Sequence, residues 1–271
     1  MNEEIQKRFD VACEAARQTG KLLLEYLQKP RQISYKGEID LVTDADKAAE
    51  TNILRMVKEH FPEDGMLAEE SAAVLSKTDY RWIIDPLDGT TNFAHTFPMF
   101  CTSIAVEYRQ EIVAGAVFDP IHNELFCARK GAGANLNGVR IRVSGADDLQ
   151  KSLLATGFPY DRRVSPDYYI EFFKQFMFNC QAIRRCGSAA LDLCYLASGR
   201  LDGFWELKLH PWDTAAGYLI LAEAGGRATN FAGEPFSIFM EEVVGSNSII
   251  HDQMLAIIAG VTSRYKPQEH Q

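Results

Sequence analysis

Ile5, Phe9, Ala12, Ala16, Leu23 and Leu27 recur at three- and four-residue steps or their sums. This spacing predicts one amphipathic helix over the first 29 residues, ended by Pro30. The polar stretch 31–40 that follows carries Gly37 and reads as a mobile connection. A second helix is expected from Thr43 or Asp44 to about His60, before Phe61-Pro62-Glu63-Asp64-Gly65 breaks the pattern. From Arg81 the period changes. Trp82-Ile83-Ile84 is a short apolar run stopped by Asp85-Pro86, and 101–108, 112–118 and 124–128 read as strands of an antiparallel meander. The second half alternates: strands at 153–156, 182–184, 203–206 and 243–246, helices at 166–178, 189–197, 214–224 and 253–258. With no internal repeat, low-complexity tract or linker, this predicts mixed helices and sheets in one layered α+β body, 1–271, with halves at 1–150 and 151–271.

Composition narrows the class. The 271 residues are 46% hydrophobic and 24% charged, which excludes disorder and a disulfide-stapled miniprotein. A net charge of −9 gives no general attraction to nucleic acid or to an anionic membrane, so a negatively charged substrate needs help from cations or backbone dipoles. The six cysteines (13, 101, 127, 180, 186, 194) form no C-x-x-C pair and read as reduced thiols packed like small hydrophobes. No signal peptide or membrane-length apolar run is present, and the expected location is the cytoplasm.

Several chemistries drop out. Gly131-Ala132-Gly133 starts like a dinucleotide loop, but Leu136 stands where the third glycine belongs, so turn chemistry is expected there. There is no P-loop and no G-x-S-x-G elbow, and the histidines lie nowhere near H-E-x-x-H spacing. What remains is oxygen chemistry. Asp85 and Asp88 follow an apolar strand, with Pro86 fixing φ between them and Gly89 allowing an unusual turn. The Leu87 carbonyl points with them, and Asp88 stands at the start of a short helix. The same residues also read as an Asp-Pro turn and a capping aspartate. Glu69-Glu70 ends another short apolar segment and Asp213 opens a helix beyond Pro211; surface charges and a helix cap are their plainer readings. If these acids converge, two carboxylates about 4 Å apart repel by roughly 4 kcal/mol at an effective dielectric of about 20. Bound cations make such a cluster tenable, and carboxylate plus carbonyl without His or Cys selects Mg²⁺-like ions.

Here the chain resembles the inositol monophosphatases. Asp85-Pro86-Leu87-Asp88-Gly89-Thr90-Thr91-Asn92 looks like that family's metal-binding signature. Trp212-Asp213-Thr214-Ala215-Ala216-Gly217, followed by Glu223-Ala224-Gly225-Gly226, looks like its second. Asp40-Leu41-Val42-Thr43-Asp44-Ala45-Asp46 and Glu69-Glu70-Ser71 also match, with Ala68 where the family often has glycine. The resemblance implies an α-β-α-β-α sandwich, a homodimer, and an Mg²⁺-dependent, lithium-sensitive phosphatase. It implies Glu69, Asp85, the Leu87 carbonyl, Asp88 and Asp213 as ligands of two to three Mg²⁺ ions. Glu69 also counts among the catalytic residues, with Thr90 and Asp46 as the dyad that orients the attacking water. Gly187-Ser188-Ala189 and Glu206 would contact substrate, the amides of Gly89, Thr90 and Thr91 the phosphate, and Asp213 both metal and substrate.

The implied reaction is hydrolysis of myo-inositol 1-phosphate. Fructose 1,6-bisphosphate, NADP and histidinol phosphate are the competing substrates. Ala155-Thr156-Gly157-Phe158-Pro159-Tyr160 and Arg184-Arg185 resemble bacterial members, and Arg162-Arg163 reads either as a contact to a second phosphate or as a solvated loop. A regulator that binds the transcription machinery and a purely structural metal-binding module are the readings of other classes.

Overall fold

The computed structural model describes residues 2–29, 33–35 and 41–265. Helix α1 (Asn2–Leu27) and helix α2 (Asp44–His60) flank a short antiparallel pair, β1 (Ile33–Tyr35) and β2 (Leu41–Thr43). Apart from β1, the connection expected over 31–40 lies outside the described residues. There follow β3 (Gly65–Ala68), β4 (Tyr80–Asp88), helix α3 (Thr90–Ala94), β5 (Cys101–Tyr108), β6 (Glu111–Asp119), β7 (Glu124–Arg129), β8 (Gly133–Leu136) and β9 (Val139–Arg140). These seven strands pair in chain order, parallel between β3 and β4 and antiparallel thereafter, which includes the expected meander.

The second half adds β10 (Leu153–Thr156), α4 (Pro166–Asn179), β11 (Ala182–Arg184), α5 (Ala189–Ala197), β12 (Gly203–Leu207), α6 (Pro211–Glu223), β13 (Arg227–Thr229), β14 (Glu242–Ser246) and α7 (His251–Thr262). Its five-stranded sheet runs β11-β10-β12-β14-β13, with the first three strands parallel and β14 antiparallel to both neighbours.

Strand periodicity explains the layers. Adjacent residues point to opposite faces, so on β4 Ile84 packs beneath Ala12, Ala16 and Ile53 of α1 and α2. Its neighbour Ile83 packs toward Leu191, Ala216 and Ile220 of α5 and α6. On the second sheet Ala155, Phe204 and Val243 face that same helical layer. Leu154, Trp205 and Val244 turn the other way, onto Phe172 and Phe176 of α4 and Met254 and Ile258 of α7. The order through the molecule is therefore helices, seven-stranded sheet, helices, five-stranded sheet, helices: the expected α-β-α-β-α sandwich. Sheets covered on both faces read as continuous apolar runs, which is why Trp82-Ile83-Ile84 shows no alternation.

Two local expectations change. The strand expected to stop at Asp85-Pro86 continues to Asp88, across a register shift between Asp85 and Asp88. Helix α6 begins at Pro211, not Thr214, because proline suits a helix's first turn. The turn chemistry expected around Gly131 and Gly133 is what the structure has: β8 and β9 form a hairpin, and Gly131, Gly133 and Gly138 are all at positive φ.

Two buried polar networks lie away from the cavities described below. Arg8 donates through Nε and Nη2 to the two oxygens of Asp64 at 2.8 and 3.0 Å, between the rings of Phe61 and Tyr80. Trp82 Nε1 and Thr78 Oγ1 complete the acceptors of Asp64 at 3.0 and 2.8 Å. The wholly buried His251 bridges Ser246 Oγ and Thr229 Oγ1 at 2.8 and 2.9 Å. All six cysteines are free thiols, with Cys101, Cys127 and Cys194 buried.

Candidate active site

The bulged end of β4 builds the centre of the site. Asp85 Oδ1 accepts from the amide of Leu87 at 3.0 Å, and Thr102 Oγ1 donates to the Pro86 carbonyl at 3.0 Å, which fixes the chain between the two aspartates. Gly89 then turns it at φ +93; a side chain there would also meet the Met99 carbonyl at 2.9 Å. Thr90 opens α3, and its Oγ1 lies 3.0 Å from the Leu87 carbonyl and 3.1 Å from Asp46 Oδ1. Asp46 is wholly buried behind it in the first turn of α2, 44 residues away in sequence.

The Asp88 carboxylate does not use the start of α3, as the sequence suggested. It reaches across to the N-terminus of α5, where Oδ2 accepts from Ser188 Oγ at 2.6 Å and the Ala190 amide at 2.8 Å. Asp213 sits in the first turn of α6 and accepts from the His210 amide at 2.7 Å, so the capping role is real. It also faces the cavities. Glu69 follows β3 directly, its amide donating to the Ile84 carbonyl at 3.2 Å, while the amide of Glu70 turns away to Glu50 Oε2.

A cavity of about 250 Å³ is lined by Glu69, Asp85, Leu87, Asp88, Thr90, Glu206 and Asp213, among others. It adjoins one of about 760 Å³ lined by Asp88, Gly89, Thr90, Thr91, Gly187, Ser188, Ala189, Glu206 and Asp213. The expected ligand and contact residues thus line two neighbouring cavities that share Asp88, Gly89, Thr90, Glu206 and Asp213, with Asp46 one hydrogen bond behind Thr90.

Among the described residues no three acidic, histidine or cysteine side chains close tightly enough around one point to form a finished metal cage. Asp88 and Asp213 each hold a protein donor instead. The donor chemistry of Glu69, Asp85, the Leu87 carbonyl, Asp88 and Asp213 nonetheless fits a hard cation; no sulfur side chain lines the cavity of Asp85, and His210 is its one imidazole.

Electrostatics shows how crowded the acids are. Burial, then the charges of Glu69, Asp88 and Asp213, push the Asp85 carboxyl well above its ordinary value, and it shares a hydrogen bond with Glu69. Burial also raises Asp88, against the donors Ser188 and Ala190. Glu206, expected to be a contact residue, is only 8% exposed, and burial drives its carboxyl well up although Arg185 opposes the shift.

The large cavity holds residues that the motifs did not single out as contacts. His95, Phe158, Tyr160, Arg185, Asp192 and Leu209 line it, as does Arg162, whereas Arg184 lies on the edge strand β11. Asn92 ties α3 to the segments before β5 and α5 by donating to the carbonyls of Met99 and Cys186 at 2.7 and 2.9 Å. No local pattern marks Asp192: a single acid in an apolar helix reads as a solvent-facing position.

Residues 4–263 match the inositol monophosphatase family, and the chain belongs to it. It is 43% identical to the chloroplastic phosphatase IMPL1 of Arabidopsis thaliana over 259 residues, 93% of this chain and 70% of that one. It is 42% identical to the Nus factor SuhB of Escherichia coli over 251 residues, 92% and 94% of the two chains. The inositol monophosphatase structure from Anabaena (Nostoc) sp. PCC 7120 superposes with a TM-score of 0.87 at 41% identity, covering 97% of this chain and 98% of that chain.

Proposed function

We propose that this phosphatase hydrolyses myo-inositol 1-phosphate with Mg²⁺, by in-line attack of water on phosphorus. The observation that carries the reading is the Thr90–Asp46 pair at 3.1 Å, set against a hollow that collects Glu69, Asp85, the Leu87 carbonyl, Asp88 and Asp213. Glu69, Asp85 and the Leu87 carbonyl would hold one ion, and Asp85, Asp88 and Asp213 a second, with room in the scheme for a third sharing Glu69. Bound there, Mg²⁺ supplies the positive charge that offsets the acids, lowers the pKa of water and stabilises the leaving oxygen.

The chain's own groups do the rest. By donating its hydroxyl hydrogen to Asp46, Thr90 turns an oxygen lone pair toward the hollow, where it accepts from water and aims it. The amides of Gly89, Thr90 and Thr91 hold the phosphate oxygens beside that water. Gly187-Ser188-Ala189 at the start of α5 and Asp213 bound the substrate, and Glu206 accepts from its ring hydroxyls. An apolar stripe on α4, with Ile170, Met177 and Phe178 exposed, supports a homodimer, and the free thiols support a reducing cytoplasm. No described helix is long and apolar enough to cross a membrane.

The test is phosphate release from inositol, sugar, nucleotide and histidinol phosphates, with and without Mg²⁺. Preference for the inositol ester, lost on chelation and reduced at least about 10²-fold in Thr90→Ala, is the expected result. Near-native turnover by Thr90→Ala removes the dyad, and preference for another ester replaces the substrate. The SuhB relative is named a Nus factor, and a second role of this chain, binding to the transcription machinery, is tested alongside. A pull-down of that machinery that survives Asp88→Asn supports it.

A further inference from the structure

Helix α2 buries two acids on one stripe. Asp46 and Glu50, 0% and 4% exposed, stand four residues apart, so their side chains leave the same face one turn from each other. Asp46 reaches Thr90, whereas Glu50 belongs to neither the metal-facing acids nor the dyad. A glutamate is almost never buried this far without a specific partner. Here the partner is backbone: Glu50 Oε2 accepts from the amide of Glu70 at 2.8 Å. The amide of Glu69 donates to the Ile84 carbonyl at 3.2 Å. The peptide groups on both sides of the Glu69 Cα are therefore tied, one to β4 and the other to α2. With its two backbone dihedrals held in this way, Glu69 directs its side chain one way, into the small cavity that Asp85 also lines.

A second, independent observation comes from the same stripe. Ala45 and Ala49 pack in one cluster with Leu87, whose side chain is wholly buried while its carbonyl lies 3.0 Å from Thr90 Oγ1. Small side chains at those positions let the helix lie close to the bulged end of β4. One short stretch of α2 thus touches three parts of the candidate site: Thr90 through Asp46, Leu87 through the two alanines, and the Glu69–Glu70 peptide through Glu50. Glu50 is the one member of that set whose contact ends on a backbone amide, so it acts on the direction of a neighbour and not on any guest.

We propose that Glu50 is a positioning residue that aims the Glu69 carboxylate at Mg²⁺ by holding the Glu70 amide. This rests on the phosphatase reading given above. The test reads the Mg²⁺ half-saturation of the full chain twice, from thermal melts without substrate and from phosphate release. Glu50→Leu is expected to raise it about tenfold, the scale of one lost hydrogen bond to a charged group. Glu50→Gln keeps an oxygen for the Glu70 amide and is expected to stay within about threefold of wild type. On a Glu69→Ala background, adding Glu50→Leu is expected to weaken Mg²⁺ by less than about twofold more, because the group it aims is gone. A merely structural glutamate would lower the melting temperature with and without Mg²⁺ and leave the half-saturation in place. Should Glu50→Leu fail to fold, Glu50→Ala, which leaves room for water, is read in the same way. A half-saturation unmoved by Glu50→Leu, an equal loss in Glu50→Gln, or the whole loss repeated on Glu69→Ala overturns the proposal. A wild-type protein with neither Mg²⁺-induced stabilisation nor phosphate release breaks the underlying reading instead.

Discussion

At Asp64 a buried carboxylate meets a guanidinium, an indole N–H and a hydroxyl, while the buried Asp85, Asp192 and Glu206 and the half-buried Asp88 make no ion pair to any Lys or Arg among the described residues. The first arrangement is finished. Its charge is matched inside the protein, and Arg8 is clamped further between two aromatic rings. The second is left open on the side of the cavity. Burial is nearly the same in the two places, since Asp64 and Asp85 are each 2% exposed. Burial alone therefore does not mark a functional acid; an unmatched hydrogen-bonding or charge demand does.

The comparison breaks most sharply if Asp88→Asn spares catalysis. Asparagine can still accept from Ser188 and Ala190, so the fold should hold while kcat falls at least about 10³-fold, measured as phosphate release beside a thermal melt. Arg8→Ala should do the opposite. Stranding Asp64 without its partner is expected to cost about 3–5 kcal/mol of stability in urea unfolding, with turnover per folded molecule unchanged. Mg²⁺ sharpens the contrast further: at about 100 times its dissociation constant it should stabilise the wild type by about 2.7 kcal/mol. Differential scanning calorimetry should show that gain intact in Arg8→Ala and mostly lost in Asp88→Asn.

The smallest effect is a pair of opposed pH slopes in chelated buffer. Asp192 is raised from 3.8 to about 8, so across that window the folded state holds the extra proton and stability falls as pH rises. His251 is lowered from 6.5 to about 4, so there the unfolded state holds the proton and stability falls as pH drops. Each slope reaches about 1.4 kcal/mol per pH unit at most. Urea midpoints should therefore lose part of their decline between pH 6.5 and 8 in Asp192→Asn, and part of their acid-side loss in His251→Asn.

Much of this could be read from residue order. The long helices announced themselves by period, and α5 was expected over the residues it occupies. The acids at Asp85 and Asp88 stood out because proline and glycine break an apolar strand there. What stayed hidden was relational. β8 (Gly-Ala-Asn-Leu) and β9 (Val-Arg) are too short to show a strand pattern of their own, so pairing rather than propensity makes them strands. That Asp88 would take the donors of α5, 100 residues on, depends on how the two sheets stack over the middle helices. Asp46 behind Thr90 was visible through family resemblance alone, and Glu50 gains meaning once α2 is seen to reach the Glu70 amide.

The central helical layer has a consequence for how activity is lost. α5 and α6 fill the space between the sheets with alanine and leucine, and their leading ends carry the groups that grip Asp88 and include Asp213. The field at the candidate site thus comes partly from peptide dipoles that exist while those buried rods stay wound. Surface charge reversal leaves that contribution in place. A partly melted interior erases it, so thermal inactivation should track the cooperative collapse of the middle layer rather than the loosening of any peripheral loop.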